Sequence, residues 1–239
     1  MSNGIDAGFV LRHRIQESLC IIEKMLDLSK KPYIALSFGK DSLVMLDLVY
    51  SIAPGLRCLF LKSEETFLMY NYEDLIEHYT HFHGLNLHIV DTHRLSESNY
   101  NWVAARAAGH RDFMLDDFFE GYDGVFMGLR IEESKARRYT LIKPENNTLG
   151  KRIMQYRTGR REGMYRCCPM ADWSAWEIRT YAEWKSLPLL DVYQEGLQIR
   201  TTARITGLAQ SNNALFWLRK NKPENWQKIV QLLPELRHL

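Results

Sequence analysis

The chain has 239 residues, 46% of them hydrophobic and 25% charged, with 10 Phe, 6 Trp and 12 Tyr; this excludes a disordered or low-complexity protein and suits one large domain with an appendage. No run of about 18 uncharged apolar residues occurs and the first residues do not read as a leader, so a cytoplasmic protein that stays off membranes is expected. The net charge of +2 hides strong clustering: residues 1–129 carry a net −7, 130–166 a net +7, 167–195 a net −3 and 196–239 a net +5. The basic clusters would focus a positive field on nucleotides or nucleic acid, unless they are merely solvated loops.

Ile15, Leu19, Ile22, Met25 and Leu26 recur at helical spacing, which predicts an amphipathic helix with Cys20 near its buried side. Tyr33 to Leu36 reads as a strand, Ser42 to Val49 as a helix ended by Ala53-Pro54-Gly55, and Arg57 to Leu61 as a second strand. A helix over 65–81, a third strand over Leu87 to Val90, helices over 101–108 and 112–120 and a fourth strand over Gly124 to Met127 continue the alternation. Strands alternating with helices indicate an α/β fold with a parallel sheet. Between Thr140 and Tyr165 periodicity fails, and a long, basic, mobile excursion is expected, of a length that is usually functional or disordered. Helices resume over 176–185, near 213–220 and over 223–233. Residues 1–195 are thus expected to form the main domain and 196–239 a basic helical extension. The four cysteines (Cys20, Cys58, Cys167, Cys168) are too few for a disulfide framework and are expected as thiols.

Ser37-Phe38-Gly39-Lys40-Asp41-Ser42 joins the first strand to its helix, where backbone N–H groups and the helix dipole converge on an anion. Gly39 permits close approach, Ser37 and Ser42 offer hydroxyl donors, Lys40 a positive charge, and Asp41 a ligand for Mg²⁺. The loop is neither a Walker A sequence nor a dinucleotide fingerprint. The plainer reading is a Ser/Gly turn capping an ordinary helix. The S-x-G-x-D-S pattern after a first strand resembles the pyrophosphate-binding loop of the PP-loop ATP pyrophosphatases. That resemblance implies an adenine nucleotide α-hydrolase-like (Rossmann-like) fold, with ATP split between its α- and β-phosphates to adenylate a substrate oxygen.

Two further blocks, Gly128-Leu129-Arg130 through Arg137, and Cys168-Pro169-Met170-Ala171-Asp172-Trp173 leading into 176–181, are similar to the phosphoadenosine phosphosulfate reductase branch of that superfamily. The resemblance spans roughly 30–195. It implies a nucleotide pocket built from Ser37 to Ser42, Leu61, Gly128, Arg130 and Arg137, with Lys40, Asp41 and Arg130 in the catalytic set, to which the basic surroundings of the Cys-Cys pair add Cys167 or Cys168. A guanidinium fork suits an α-phosphate or sulfate, although Glu133 and Arg137 are also spaced for an i,i+4 ion pair. Ser63-Glu64-Glu65 stands where the reductase branch usually has Asp-Thr-Gly.

No cysteine follows Cys168, so the reductase's tail thiol is expected to be lacking; only one Cys-Cys pair exists, so no iron–sulfur cluster is expected. Arg160, Arg161 and Arg166 near Cys167 and Cys168 would lower a thiol pKa and make a persulfide carrier; the alternative is two small packing residues. The combination resembles the ATP pyrophosphatase of bacterial DNA phosphorothioation systems, which implies a cysteine desulfurase partner and DNA contact through 130–166 and the C-terminal basic segment, and leaves a homo-oligomer open. The rival readings are sulfonucleotide reduction or sulfate activation on the same fold, and a non-catalytic nucleotide-sensing DNA-binding module.

Overall fold

The computed structural model describes residues 7–62, 70, 72–91, 121–143, 152–157, 161–193, 208–232 and 234–238. The helices expected over 101–108 and 112–120, the start of the one expected over 65–81, and Ser63-Glu64-Glu65 lie outside the described residues.

Helix α1 (Ala7–Leu28) buries Leu11, Ser18, Ile21, Ile22 and Met25. Cys20 is exposed, contrary to the expectation from its neighbours. It lies two residues from both Ser18 and Ile22, which at 3.6 residues per turn puts it on the far side of the helix.

Strand β1 (Pro32–Leu36) leads into α2 (Lys40–Ile52), β2 (Cys58–Lys62), α3 (Tyr72–His83) and β3 (Leu87–Asp91). After β4 (Gly124–Met127) come a 3-10 turn, α4 (Lys135–Ile142), β5 (Ile153–Gln155), β6 (Tyr165–Cys167) and α5 (Ala175–Trp184). A 3-10 turn at Asp191–Tyr193, α6 (Leu208–Asn221) and α7 (Pro223–Leu232) follow. The sheet order is β3-β2-β1-β4-β6-β5. Among the described residues five strands run parallel, Ile34 pairing with Cys58 on one side and Phe126 on the other, and β5 is antiparallel.

This is the mostly parallel α/β sheet read from the alternation of periods. The chain steps outward from β1 through β2 to β3, then returns on the other side of β1 as β4. The strand order therefore reverses between β1 and β4, and in open α/β sheets ligands sit beyond the carboxyl ends of the strands at such a switch point.

The excursion expected over 140–165 is corrected in its second half. Ile153–Gln155 pairs with Tyr165–Cys167 as a hairpin, closed by Tyr156 N–H to the Met164 carbonyl at 2.9 Å and Gly163 N–H back to the Tyr156 carbonyl at 2.9 Å. A strand of three residues is too short to show alternation. Its foundation is long-range: Arg152, held at φ 65°, clamps Asp172 through Nε at 2.9 Å and Nη2 at 2.5 Å, a bidentate pairing.

The main core lies between one sheet face and α1, α2 and α5. It is continuous with Leu215, Trp217 and Leu218 of α6 and Ile229 of α7. Trp173, 1% exposed, sits in this core edge-on to Tyr181 at 5.7 Å. A smaller cluster of Tyr33, Leu59, Val90, Val125 and Met164 covers the other face. No helix among the described residues is long and apolar enough to cross a membrane.

Candidate functional site

Only Ser37, Phe38 and Gly39 separate β1 from α2. Phe38 turns the chain with φ 53°, a left-handed conformation costing a non-glycine residue about 1–3 kcal/mol. What holds it there is burial: its ring is fully enclosed, edge-on to Phe60 at 5.1 Å, Tyr72 at 6.2 Å and Tyr79 at 6.4 Å. Phe38 is thus an anchor of the loop. The loop is also braced by its own hydroxyls: Ser42 Oγ donates to the Gly39 carbonyl at 2.9 Å and accepts from Ser37 N–H at 3.3 Å, and Gly39 N–H donates to Ser37 Oγ at 3.4 Å. The Ser42 hydroxyl, expected as an anion donor, is buried and lies within hydrogen-bond distance of both the Gly39 carbonyl and Ser37 Oγ.

No side chain caps α2 at Gly39. The N–H groups of Lys40, Asp41 and Ser42 have no acceptor within the helix, because the first turn of any α-helix lacks one. They stand at the carboxyl end of β1, beside β4, with the helix dipole adding partial positive charge. Gly128, just past β4, allows this approach. A Cβ there would lie 3.1 Å from the Asp41 carbonyl oxygen, Ser42 Cα and Ser42 N, all backbone. Leu61 lies one strand over, near the end of β2, half-buried against the smaller cluster.

The charged groups form a chain. Asp41 accepts from Lys40 Nζ at 2.7 Å through Oδ2 and from Arg130 Nε through Oδ1. Lys40 Nζ also lies 5.8 Å from the centre of the Tyr193 ring. Arg130 is 3% exposed, its Nη1 donates to the Trp173 carbonyl at 3.2 Å, and its N–H donates to Glu133 Oε1 at 2.7 Å. The geometry of Arg130 is therefore that of a buried tie between the loop and the Trp173 segment, with Nε and Nη1 already engaged. Arg137 is half-exposed, with Nε 3.8 Å from Glu133 Oε2, the i,i+4 arrangement of the alternative reading.

Sequence reasoning missed these partners. The spacing of Glu133 three residues after Arg130 is a capping signal that could have been read. The Trp173 carbonyl and the Tyr193 ring have no sequence signal, since only chain crossing brings them near. The segment carrying Trp173 is itself locked to α1, with Trp173 Nε1 donating to Ser18 Oγ at 2.9 Å and Ser18 Oγ to the Pro169 carbonyl at 3.0 Å.

The thiols behave differently from the expectation. Cys167 is fully buried in the main core and Cys168 is 1% exposed against Leu141 and Ala171. Burial pushes Cys167 well above the usual thiol range, and pushes Cys168 up to about 11 even though Arg166, Arg137 and Arg152 act in the opposite direction. The inference of a depressed thiol pKa is thus corrected: desolvation of the thiolate outweighs the cations, which sequence proximity alone had shown. Cys58 is likewise pushed up, to about 12, by burial. Among the described residues no group of three or more His, Cys, Asp and Glu side chains is gathered to hold a metal ion.

Residues 31–207 match the family model of the phosphoadenosine phosphosulfate reductase domain. Among solved structures, the chain is similar to phosphoadenylyl-sulfate reductase from Candida auris in its phosphate complex, with 15% identity and a TM-score of 0.52 over 83% of this chain and 95% of that one. It is also similar to FMN adenylyltransferase from Candida glabrata in complex with FAD and inorganic pyrophosphate, with 16% identity, a TM-score of 0.59, and 82% of this chain against 65% of that one. A third is the U34-tRNA thiolase of Methanococcus maripaludis with its 4Fe-4S cluster, with 19% identity and a TM-score of 0.50 over 96% of this chain and 80% of that one. At these identities the likeness establishes a shared fold. No curated protein matches the chain.

Proposed function

The chain belongs to the phosphoadenosine phosphosulfate reductase domain family, and from that premise we propose that it is an ATP pyrophosphatase that adenylates an acceptor oxygen for sulfur incorporation. The observation that carries this reading is the uncapped N-terminus of α2 at the β1/β4 switch point, braced by Ser37, Ser42 and Phe38. In this reading the N–H groups of Lys40, Asp41 and Ser42 bind the leaving diphosphate, and the Lys40 ammonium offsets the charge that develops on it. An acceptor oxygen attacks the α-phosphorus, the bond from that phosphorus to the α,β-bridging oxygen breaks, and pyrophosphate departs. A sulfur nucleophile then displaces AMP from the activated acceptor.

Asp41 is the acidic side chain of the loop; each of its oxygens accepts from one cation, Lys40 or Arg130, and keeps a lone pair that would hold Mg²⁺, which takes one or two carboxylates and fills its shell with phosphate oxygens and water. When bound, the ion would screen the phosphates; Arg130 orients the carboxylate for it.

The burial of Cys167 and Cys168 argues for sulfur arriving from outside, and a cysteine desulfurase delivering a persulfide meets that need: its outer sulfur displaces AMP, and a second thiol from outside this chain then attacks the inner sulfur, leaving as a disulfide with the carrier and freeing the phosphorothioate. The net charge of +12 shared by 130–166 and 196–239 favours a polyanionic acceptor, for which we propose DNA undergoing phosphorothioation. In this reading 1–195 is the nucleotide-binding unit and 196–239 a basic extension. Mass spectrometry of products from labelled ATP, Mg²⁺ and DNA tests the chemistry. AMP and pyrophosphate are expected, and ADP with phosphate would overturn it.

A further inference from the structure

Arg166 on β6 is an ionised group in an unusual setting. It pairs across the sheet with Val125 and Met154, both buried, and its residue exposure is only 9%. Successive side chains of a strand point to opposite faces, so Arg166 shares the face of Val125 and Tyr33, away from the main core that holds Cys167. Among the described residues no carboxylate stands within ion-pair distance of Arg166. Its partner among the described residues is the Tyr156 ring, with the guanidinium carbon 5.9 Å from the centroid, at the outer limit of a cation–π contact of about 6 Å. Arg161 reaches the same ring at 6.0 Å, and its charge acts on the buried Tyr33 hydroxyl. Two guanidinium groups thus converge on one aromatic ring, and one of them is buried with no carboxylate beside it among the described residues. Buried charges are ordinarily paired and hydrogen-bonded, because desolvation is otherwise uncompensated.

We propose that Arg166, with Arg161 and Tyr156 beside it, binds a tetrahedral oxyanion of phosphate or sulfate type on the sheet face opposite the main core. A guanidinium presents parallel N–H donors that match two oxygens of such an anion, and the flat Tyr156 ring holds the forks in place. The site is separate from the phosphate loop, and its existence does not depend on the loop binding ATP. Two sources share this chemistry: a small inorganic anion and the phosphodiester of a nucleic acid strand.

The test is a thermal-unfolding titration of the full chain at constant ionic strength, the loop first saturated with Mg²⁺ and a non-hydrolysable ATP analogue. Inorganic phosphate should raise the unfolding midpoint saturably over a chloride control. Arg166→Met, which keeps most of the stem, should weaken the apparent affinity at least tenfold, and Arg166→Lys should retain more of it. A wild-type chain indifferent to phosphate, or an R166M chain responding like wild type, overturns the proposal. Should R166M not fold, the Nε–H resonance of Arg166, assigned by its loss in R166K, must shift with phosphate; an unmoved signal overturns it equally. A short single-stranded oligonucleotide that competes with phosphate assigns the site to a phosphodiester, and one that does not assigns it to a small anion. Failure of the ATP reading would show separately, as no stabilisation by the analogue alone; an Arg166-dependent phosphate response would then still stand.

Discussion

Replacing Gly128 by alanine probes whether the end of β4 must touch the first turn of α2 for the loop to work. The added Cβ would sit 3.1 Å from three backbone atoms of Asp41 and Ser42, against an ordinary carbon contact of about 3.5 Å or more. None of the three is the end of a flexible side chain, so β4 and α2 must separate by about 0.4 Å. Overpacking of this kind costs about 1–3 kcal/mol. The same movement shifts the N–H groups of Asp41 and Ser42 relative to Arg130. Since a displacement of about 1 Å costs about a hundredfold in a positioned site, a loss of roughly 5–10-fold in nucleotide affinity is expected. Urea unfolding measures the first effect and calorimetric titration with an ATP analogue the second. Gly55→Ala is the control: it has open space around it but φ 81°, so it should lose about 1 kcal/mol through backbone strain and leave affinity unchanged. A G128A chain that binds the analogue as tightly as wild type would refute the reasoning, whatever its stability.

Arg130→Lys keeps one charge but cannot reach both Asp41 and the Trp173 carbonyl, so kcat/KM for pyrophosphate release should fall about 10–100-fold, and wild-type kinetics would remove its positioning role. Asp41→Ala should abolish Mg²⁺-dependent turnover and, by leaving the buried Arg130 with only the half-exposed Glu132 carboxylate at 3.5 Å, lower stability by about 1–3 kcal/mol in chemical unfolding; retained activity would show that the carboxylate holds no metal. Titration of the native chain with a disulfide reagent at pH 8 should modify Cys20 promptly and Cys58, Cys167 and Cys168 only on unfolding, whereas prompt reaction of Cys167 or Cys168, located by peptide mapping, would restore the persulfide reading.

Burial raises the carboxyl pKa of Asp123, but hydrogen bonds from Ser29 and the N–H groups of Lys31 and Lys30 outweigh it, so the folded value is lowered. Its stabilising effect is therefore present above the ordinary carboxylate pKa and is lost as pH falls through the folded value. The urea-midpoint gap between wild type and Asp123→Asn should be widest near neutrality and close in acid; a gap independent of pH would contradict this.

The succession of β1, α2, β2 and the later elements was legible because periodicity and breakers such as Ala53-Pro54-Gly55 act between neighbours in the chain. The same locality made the Ser37–Ser42 loop legible, since a turn between a strand and a helix has only one place to put its N–H groups. The three-residue β5 and the hairpin it makes with β6 were not, because their stability comes from pairing and from Asp172, 20 residues beyond Arg152. The thiols show the limit most clearly. Sequence places arginines next to Cys167 and Cys168, and only packing reveals that both thiols are buried, so that desolvation outweighs the charges acting on Cys168. Arg130 was singled out in the sequence by its place after β4, but not as the partner of Asp41, 89 positions earlier. Local chemistry, set by the order of residues, determined which groups the protein has to work with; which of them meet, and which are removed from water, was decided by the tertiary fold, because desolvation and long-range contact exist only after the chain has closed on itself.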